Sequence, residues 1–279
     1  MNSLQRTDIK HNFLKKVIYR MDYSGVLDGN LEKCIDELAD IIKSHGFKNM
    51  EKIEPKRTEI LYKLDLRLPL DDRIKLEEGK GDSLYIFFDK DKNSIMFSNS
   101  FFLLNILPND GNYTFNKYLE LIVRIIMTLK SINFINFERA GLRKVNICFS
   151  NTKEDIVKYF NEQAFNFYEL QNSQDGYKQN KVQNNSFMTM MDYRINYLRS
   201  YLEGKLEDKD AYQIVLDIDV YIKNNLLLEE KFKEYKAVKN MLERQNDIVF
   251  DLFISSLSKE FINMLKSEHF NSTDILGVI

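Results

Sequence analysis

The chain is poor in the residues that build disulfide frameworks, metal sites and flexible linkers. Its 279 residues include 2 cysteines, 3 histidines, 3 prolines, 10 glycines and no tryptophan. Cys34 and Cys148 fall in a predicted helix and a predicted strand, which argues against a disulfide framework and favours a reducing cytoplasm. The histidines have no zinc-ligand spacing to one another or to the cysteines. We therefore expect neither a metal nor a cofactor.

Long apolar runs and catalytic signatures are missing as well. No apolar run reaches the ~18 residues that a membrane span requires, and Met1–Lys10 lacks the apolar core of a signal peptide. The phosphate-binding loop, the dinucleotide glycine pattern, the HExxH helix and the GxSxG elbow are absent. We expect a cytoplasmic protein that avoids membranes, and the sequence assigns no catalytic residue.

The charges are nearly balanced, with 40 basic and 42 acidic side chains and a formal net charge of −2. A general nucleic-acid binder carries a strong basic excess, which this chain does not have. A local basic face is compatible with the balance, so nucleic acid stays open as a partner. Hydrophobic residues make up 44% of the chain, enough for a sizeable core.

The same order of predicted strands and helices occurs twice along the chain. Residues 1–133 read as a first β-α-β-β-β-α half, and residues 134–279 as a second half with a mobile loop at 171–185 and a long C-terminal helix. An antiparallel sheet of this size must cover one face with helices. The sequence therefore predicts an α+β fold, in which the two halves form a curved antiparallel sheet with helices packed on one face.

The spacing of apolar residues along the chain predicts the individual strands and helices. Alternation or β-branched and aromatic content indicates strands, and apolar residues at three-and-four spacing indicate helices. A charged loop is expected at 70–82, and Gln245-Asn246-Asp247 interrupts the apolar stripe of the last helix. The predicted strands are 12–23, 58–68, 83–88, 94–104, 137–150, 186–202 and 212–222; the predicted helices are 31–44, 114–132, 153–160 and 228–266.

Two carboxylates stand at alternate positions of a predicted strand. Asp217 and Asp219 share one face of that strand, which is the arrangement that a divalent ion requires, and Asp192 could add a third ligand. A metal-dependent nuclease or phosphotransfer enzyme is thus one alternative. The other interpretation, which is favoured, is that both are solvent-facing positions of an antiparallel strand.

Two arginines lie four residues apart on the strand that opens the second half. Arg139 and Arg143 share a face and could grip a phosphate or a carboxylate. The alternative is a structural pair with Glu138, Asp22 or the two aspartates above. Gly141 between them indicates either a bulge or a close backbone approach.

A small basic and aromatic cluster lies on the first strand. Lys15, Lys16 and Arg20 stand beside Tyr19 and Tyr23, a composition that could contact single-stranded nucleic acid by phosphate contacts and stacking. A solvated strand face is the simpler interpretation. We retain Arg20, together with the two arginines and the aspartate pair, as candidate ligand- or partner-binding residues.

The run from Phe137 to Asn146 resembles a sporadically distributed family of uncharacterised prokaryotic proteins of about this length. Members look alike in an Arg-x-Gly-Leu-Arg-x-x-Asn segment, and this chain departs from the pattern at Lys144, where an aromatic residue is common. The matching residues are Arg139, Gly141, Leu142, Arg143 and Asn146, with weaker likeness at Val17–Tyr23, Leu216–Asp219, Ile248, Phe250–Phe253 and Leu257.

The resemblance implies no known activity. Patchy distribution implies mobile-element or defence genes, and hence an accessory, adaptor or antitoxin-like role. With no reaction indicated, we expect a non-enzymatic binding or assembly protein that acts through a protein partner or by self-association. The metal-dependent enzyme and the single-strand nucleic-acid binder are the alternatives.

Overall fold

The structure is a computed structural model that describes residues 4–54, 56–62, 74–80, 82–108, 113–161, 164–165, 181–206, 209–268 and 275–276. Within these ranges the chain forms a short 3-10 helix, Arg6–Asp8, and α-helices and β-strands. The helices are α1 Asp28–Ser44, α2 Phe115–Lys130, α3 Glu154–Tyr159, α4 Asn225–Lys231, α5 Tyr235–Ser255 and α6 Lys259–Lys266. The strands are β1 Leu14–Ser24, β2 Asn49–Ile53, β3 Lys56–Tyr62, β4 Ile74–Lys80, β5 Leu84–Phe88, β6 Ser94–Phe97, β7 Phe101–Ile106, β8 Asn136–Ser150, β9 Lys181–Met190, β10 Tyr193–Leu206, β11 Lys209–Ile222 and β12 Ile275–Leu276.

One antiparallel sheet dominates the molecule. Its strand order is β2-β5-β6-β7-β1-β8-β11-β10-β9, with β12 beside β8, while β3 and β4 pair separately as a hairpin. The predicted α+β class with a curved antiparallel sheet is confirmed. The leading strands of the two predicted halves, β1 and β8, are neighbours at the centre. The division at residue 133 stays a prediction, because both halves contribute to the same sheet.

Helices cover one face of this sheet. On β1 the residues Val17, Tyr19 and Met21 are buried, as strand alternation requires for a face that packs on helices. On β8 the matching position is Ala140, whose carbonyl accepts a 3.0 Å hydrogen bond from Gln245 Nε2 of α5. The side chains between these positions lie on the other side of the sheet, which we call the open face.

The register defines the open face from the centre of the sheet to the β9 edge. Ile18 of β1 is opposite Arg143 of β8, and Arg143 is opposite Asp219 of β11. Asp219 is in turn opposite Asn196 of β10, which is opposite Phe187 of β9. Cross-strand partners share a face. These five residues therefore form one continuous row from the centre of the sheet to the β9 edge.

Two predictions for the first half are corrected. The expected charged loop at 70–82 contains β4. Of the strand predicted at 58–68, residues 58–62 belong to β3, as predicted, and 63–68 lie outside the described residues. The strand predicted at 94–104 is interrupted at 98–100, between β6 and β7.

The predicted strand at 186–202 is in fact a hairpin. The chain turns at Met191, which has a φ of 52°, so that β9 and β10 pair on either side of it. A left-handed methionine carries no sequence signal of the kind that glycine or asparagine would give. Of the loop predicted at 171–185, residues 181–185 belong to β9 and the rest lies outside the described residues.

The C-terminal helix is three helices, and its breaks are not where the sequence indicated. Gln245-Asn246-Asp247 lies inside α5, and the chain leaves the helix between α4 and α5 and again before α6. Gln245 and Asn246 are buried, and each side chain has a hydrogen-bond partner on β8. Gln245 and Asn246 interrupt the apolar stripe without ending the helix, because both side chains form hydrogen bonds with β8.

Both cysteines are core residues. Cys34 and Cys148 are both buried and free, in α1 and β8. Burial raises the pKa of the Cys34 thiol to about 12, so this group is an inert part of the core. Among the described helices, none combines the length and apolar character needed to cross a bilayer.

Candidate interaction site on the open face of the sheet

The five candidate residues come together on three adjacent strands. Arg20 lies on β1, Arg139 and Arg143 on β8, and Asp217 and Asp219 on β11. Arg20 is opposite Gly141 and Arg143 is opposite Asp219 in the registers that join these strands. All five side chains lie on the open face. The sequence indicated each pair separately, and the strand order β1-β8-β11 places them side by side.

Each arginine of β8 binds one aspartate of β11. Arg139 Nη2 donates to both carboxylate oxygens of Asp219, at 2.9 and 2.8 Å. Arg143 binds Asp217 through two nitrogens, with Nε–Oδ1 at 2.8 Å and Nη2–Oδ2 at 2.5 Å. Such charge-assisted contacts fix geometry as well as charge. The structural pairing with the two aspartates, left open by the sequence, is therefore what the structure contains.

The two ion pairs are partly withdrawn from water. Asp217 is 7% exposed, and the side chains of Arg139 and Asp219 are 19% and 18% exposed. Burial raises the pKa of the Asp219 carboxyl, against the opposing effect of Arg139. The hydrogen bonds to Asp217 raise the pKa of Arg143, which stays charged. Breaking either pair would leave a charge that water solvates only in part.

Gly141 makes room for the Arg139 guanidinium. A Cβ at this position would lie 2.6 Å from Tyr221 Cβ, 3.1 Å from the carbonyl oxygen of Val220 and 3.3 Å from Arg139 Nη2. Arg139 Cζ lies 4.6 Å from the centroid of the Tyr221 ring, within cation–π range. The registers on both sides of Gly141 continue without a shift. Of the two interpretations of this glycine, close approach is correct and the bulge is wrong.

Arg20 lies at the margin of the network. Its Nε donates to Asp22 Oδ1 at 2.6 Å, and its Cζ lies 5.3 Å from the centroid of the Phe101 ring. The Arg20 side chain is 47% exposed. Between β1 and β8 the open face forms a concavity of about 310 Å³. Its walls are Ile18, Arg20, Asp22, Leu103, Arg139, Gly141, Arg143 and Asp219.

The predicted basic and aromatic cluster does not form. Tyr19 and Tyr23 are 1% and 2% exposed, and they lie on the helix-covered side of β1, opposite to Arg20. Their rings contribute to the core and cannot stack on a base. Lys15 sits where the β1–β8 register shifts, between Leu14 and Lys16. The aromatic half of this hypothesis is therefore wrong.

The aspartate pair lacks the surroundings of a metal site. Both carboxylates already accept two hydrogen bonds from guanidinium groups. Asp192, the expected third ligand, lies beside Met191 in the β9–β10 turn and pairs with Lys231 at 3.4 Å. Across the part of the chain that the structure describes, no group of three or more acidic, histidine or cysteine residues could hold a metal ion.

Sequence reasoning missed two residues of the open-face network and one of the other face. Asp22 was considered only as a partner of the β8 arginines, although its spacing of two from Arg20 indicates a same-face contact. Tyr221 stands two residues after Asp219, so it shares the face of the two aspartates, which is the same signal. Lys144 was noted only as a departure from a family pattern. It lies on the helix-covered side, where a lysine is an unusual residue.

Comparison with known proteins gives no family. No family model and no curated protein matches the chain. A solved structure of the S. pombe Pct1 RNA triphosphatase in complex with the Spt5 CTD aligns over 93% of this chain and 88% of its own, with 8% identity and a TM-score of 0.13. A second structure of that triphosphatase aligns over 92% and 85%, with 8% identity and a TM-score of 0.14.

Proposed function

We propose that the protein is a non-enzymatic binding or assembly protein whose open face docks a protein partner. The observation that carries the proposal is the composition of that face. A central strip of paired charges lies between side chains that are apolar and exposed. Protein interfaces combine such apolar anchors with a polar, hydrogen-bonded surround.

The apolar anchors lie on both sides of the charged strip. Phe187 on β9 is 76% exposed, and Leu202 on β10 is 44% exposed. On the other side, Ile53 of the β2 edge strand is 43% exposed. Phe101 and Leu103 of β7 lie closer to the centre and are half-buried. An exposed phenylalanine on the same row as charges of the central strip is the type of residue that dominates binding energy in protein complexes.

Charge balance favours a protein over a nucleic acid as the partner. Each of Arg20, Arg139 and Arg143 already binds a carboxylate, and the three carboxylates cancel their charge. A phosphate would have to displace an aspartate to reach any of them. Affinity for nucleic acid comes mainly from unneutralised basic groups that release counterions. None of these three arginines is left unneutralised.

The same pairing argues against the enzyme alternative. A nuclease or phosphotransfer site would need carboxylate oxygens free to bind a divalent ion. Here the guanidinium groups of β8 occupy the two carboxylates of Asp217 and Asp219. The pairs act instead as a rigid, preorganised centre for a surface that binds without chemistry.

An accessory or antitoxin-like role in a prokaryotic defence system stays a prediction of the sequence resemblance. It agrees with a docking face, since accessory proteins act through partners. The charge balance and the exposed apolar residues support a protein as the partner and leave the pathway open.

The proposal is tested by site-specific photo-crosslinking in the native host. A photo-reactive phenylalanine analogue is placed at Phe187 and, as a control of matched exposure, at Leu226 of α4, which is 79% exposed in the helix layer. We expect a defined adduct, with another protein or a second copy, at position 187 and not at 226. Phe187→Ser should abolish the complex in solution, as measured by light scattering, and Leu226→Ser should preserve it. Equal adducts at both positions, or none at 187, would refute the docking face.

A further inference from the structure

A separate cavity lies on the helix-covered side of the sheet. It has a volume of about 520 Å³, within the range of pockets that hold small organic ligands. The 3-10 helix segment, the start of β1, the segment that enters α2, β8 and α5 all contribute to it. Its walls are Arg6, Thr7, Ile9, Lys10, Asn12, Leu14, Tyr113, Thr114, Phe115, Asn116, Lys144, Asn146, Asn246, Val249, Phe250 and Phe253.

The charges in this wall have one sign. Arg6, Lys10 and Lys144 line the cavity, and the described wall contains no carboxylate. Arg6 is bound at 2.6 Å by Asp247, and Lys10 at 2.7 Å by Glu268; neither acid belongs to the wall.

Lys144 is the cation of the wall that no described carboxylate binds. Its Nζ donates a 2.6 Å hydrogen bond to the neutral amide oxygen of Asn246, and lies 5.4 Å from the centroid of the Tyr113 ring. Lys144 is half-buried, and an ammonium group withdrawn from water without a counter-charge is costly. An anion in the cavity would supply that counter-charge.

The remaining wall is apolar and aromatic. Val249, Phe250 and Phe253 of α5 line the cavity, and Arg6 Cζ lies 5.0 Å from the centroid of the Phe250 ring. A ligand that fits this wall carries an apolar body as well as a charge. A bare inorganic anion would leave most of the apolar wall uncovered.

We propose that this cavity binds a small organic anion, with its acidic group against Lys144 and its apolar body against Phe250 and Phe253. The site is distinct from the open face, because residues 143 and 144 point to opposite sides of β8. The proposed ligand binds on the side of the sheet opposite to the proposed docking face. Its binding therefore does not depend on the partner protein.

The electrostatics of Lys144 support the same site. Burial, and secondarily the charge of Arg6, lowers the pKa of Lys144 to about 7. The titratable groups that face it are Arg6 and Lys10 from the N-terminal segment and Tyr113 before α2, while α5 presents the neutral Asn246. A bound anion would raise this pKa. Binding above neutral pH should therefore take up a proton.

The test uses two fluorescent probes that share a ring system. Anilinonaphthalene sulfonate carries one negative charge, and phenylnaphthylamine is its uncharged counterpart. We expect the folded protein to bind the sulfonate at a single site and at least about tenfold more tightly than the amine, the equivalent of one charge-assisted hydrogen bond. Equal affinities for the two probes would overturn the proposal.

Three variants locate the binding. Lys144→Met keeps the length of the side chain and should remove the preference for the sulfonate, together with proton uptake measured by calorimetry in two buffers. Val249→Phe fills the cavity and should weaken both probes. Phe187→Ser, on the open face, should weaken neither. Unchanged sulfonate binding in folded Lys144→Met or Val249→Phe, or its loss in Phe187→Ser, would contradict the assignment.

Discussion

Arg143 and Lys144 are consecutive residues of β8 whose side chains lie on opposite faces of the sheet. Arg143 binds Asp217 on the open face, at 2.5 and 2.8 Å, and Lys144 binds Asn246 of α5 inside the helix-covered cavity, at 2.6 Å. Strand alternation makes this separation unavoidable. One strand thus supplies the central charge of the proposed docking face and the anion-binding group of the proposed ligand site.

The Arg139–Asp219 pair should contribute measurably to stability. Asp219→Asn would leave the partly buried Arg139 without its counter-charge, and we expect a loss of about 1–3 kcal/mol in the free energy of unfolding. Asp22→Asn is the matched control, because Arg20 is far more exposed than Arg139 and exposed pairs are worth about 0–1 kcal/mol. Urea unfolding measures the free energy of unfolding of both variants, provided that its dependence on urea concentration is the same as in the wild type. Equal losses would show that burial does not govern these pairs.

Gly141 should tolerate no side chain. Gly141→Ala would place a Cβ 2.6 Å from Tyr221 Cβ and 3.1 Å from the backbone oxygen of Val220, and neither can move without disturbing β11. We expect a destabilisation of about 1–3 kcal/mol. Gly204→Ala on β10 is the control, since no atom lies within 4 Å of its added Cβ, and should be close to neutral. Thermal unfolding compares the two, and a neutral Gly141→Ala would mean that the strands separate easily.

Lys144 should make stability rise with pH. The pKa of its folded form is lowered to about 7 from an ordinary value of 10.5, so between these values the unfolded chain holds a proton that the folded chain has released. Stability rises with pH wherever the unfolded state binds more protons. The stability of the wild type relative to Lys144→Met should therefore increase from about pH 7 to about pH 10. A difference that stays constant over that range would show that Lys144 titrates normally.

The paired arginines should not bind nucleic acid. We expect a labelled single-stranded oligonucleotide to show no anisotropy change with the wild type at low salt. Neutralising both partners, Asp217→Asn with Asp219→Asn, should create weak binding that disappears as salt rises, because Arg139 and Arg143 then lack counter-charges. Tight, salt-sensitive binding by the wild type would restore the nucleic-acid alternative.

Removing Asp217 should not remove a metal-dependent activity. Its carboxylate is bound by Arg143 and is 7% exposed, so it offers no open position to an ion. Asp217→Ala should therefore change stability and leave magnesium- or manganese-dependent hydrolysis of nucleic acid and phosphate esters at the background level of the wild type. Hydrolysis by the wild type that Asp217→Ala abolishes would support the enzyme alternative.

Local sequence patterns predicted some features of the secondary structure and missed others. A helix was predicted at 31–44 from apolar residues at three-and-four spacing, and Leu31, Cys34 and Ile35, which have that spacing, are buried in α1. The start of that helix was predicted less well: it begins at Asp28, three residues before the predicted start at residue 31. The Met191 turn escaped prediction because methionine is not a turn residue, and the polar stretch of α5 was mistaken for a break because its partners lie on β8.

The sequence by itself determined which residues of each strand share a face, because alternation depends only on the pleat of the backbone. It thereby placed Arg139 with Arg143, and Asp217 with Asp219. Only the tertiary structure decided that β8 lies between β1 and β11, which turned two same-charge pairs into two ion pairs. It also decided that α5 and the N-terminal segment enclose a cavity around Lys144. Strand order and helix placement depend on contacts between residues far apart in the chain, and no local period encodes them.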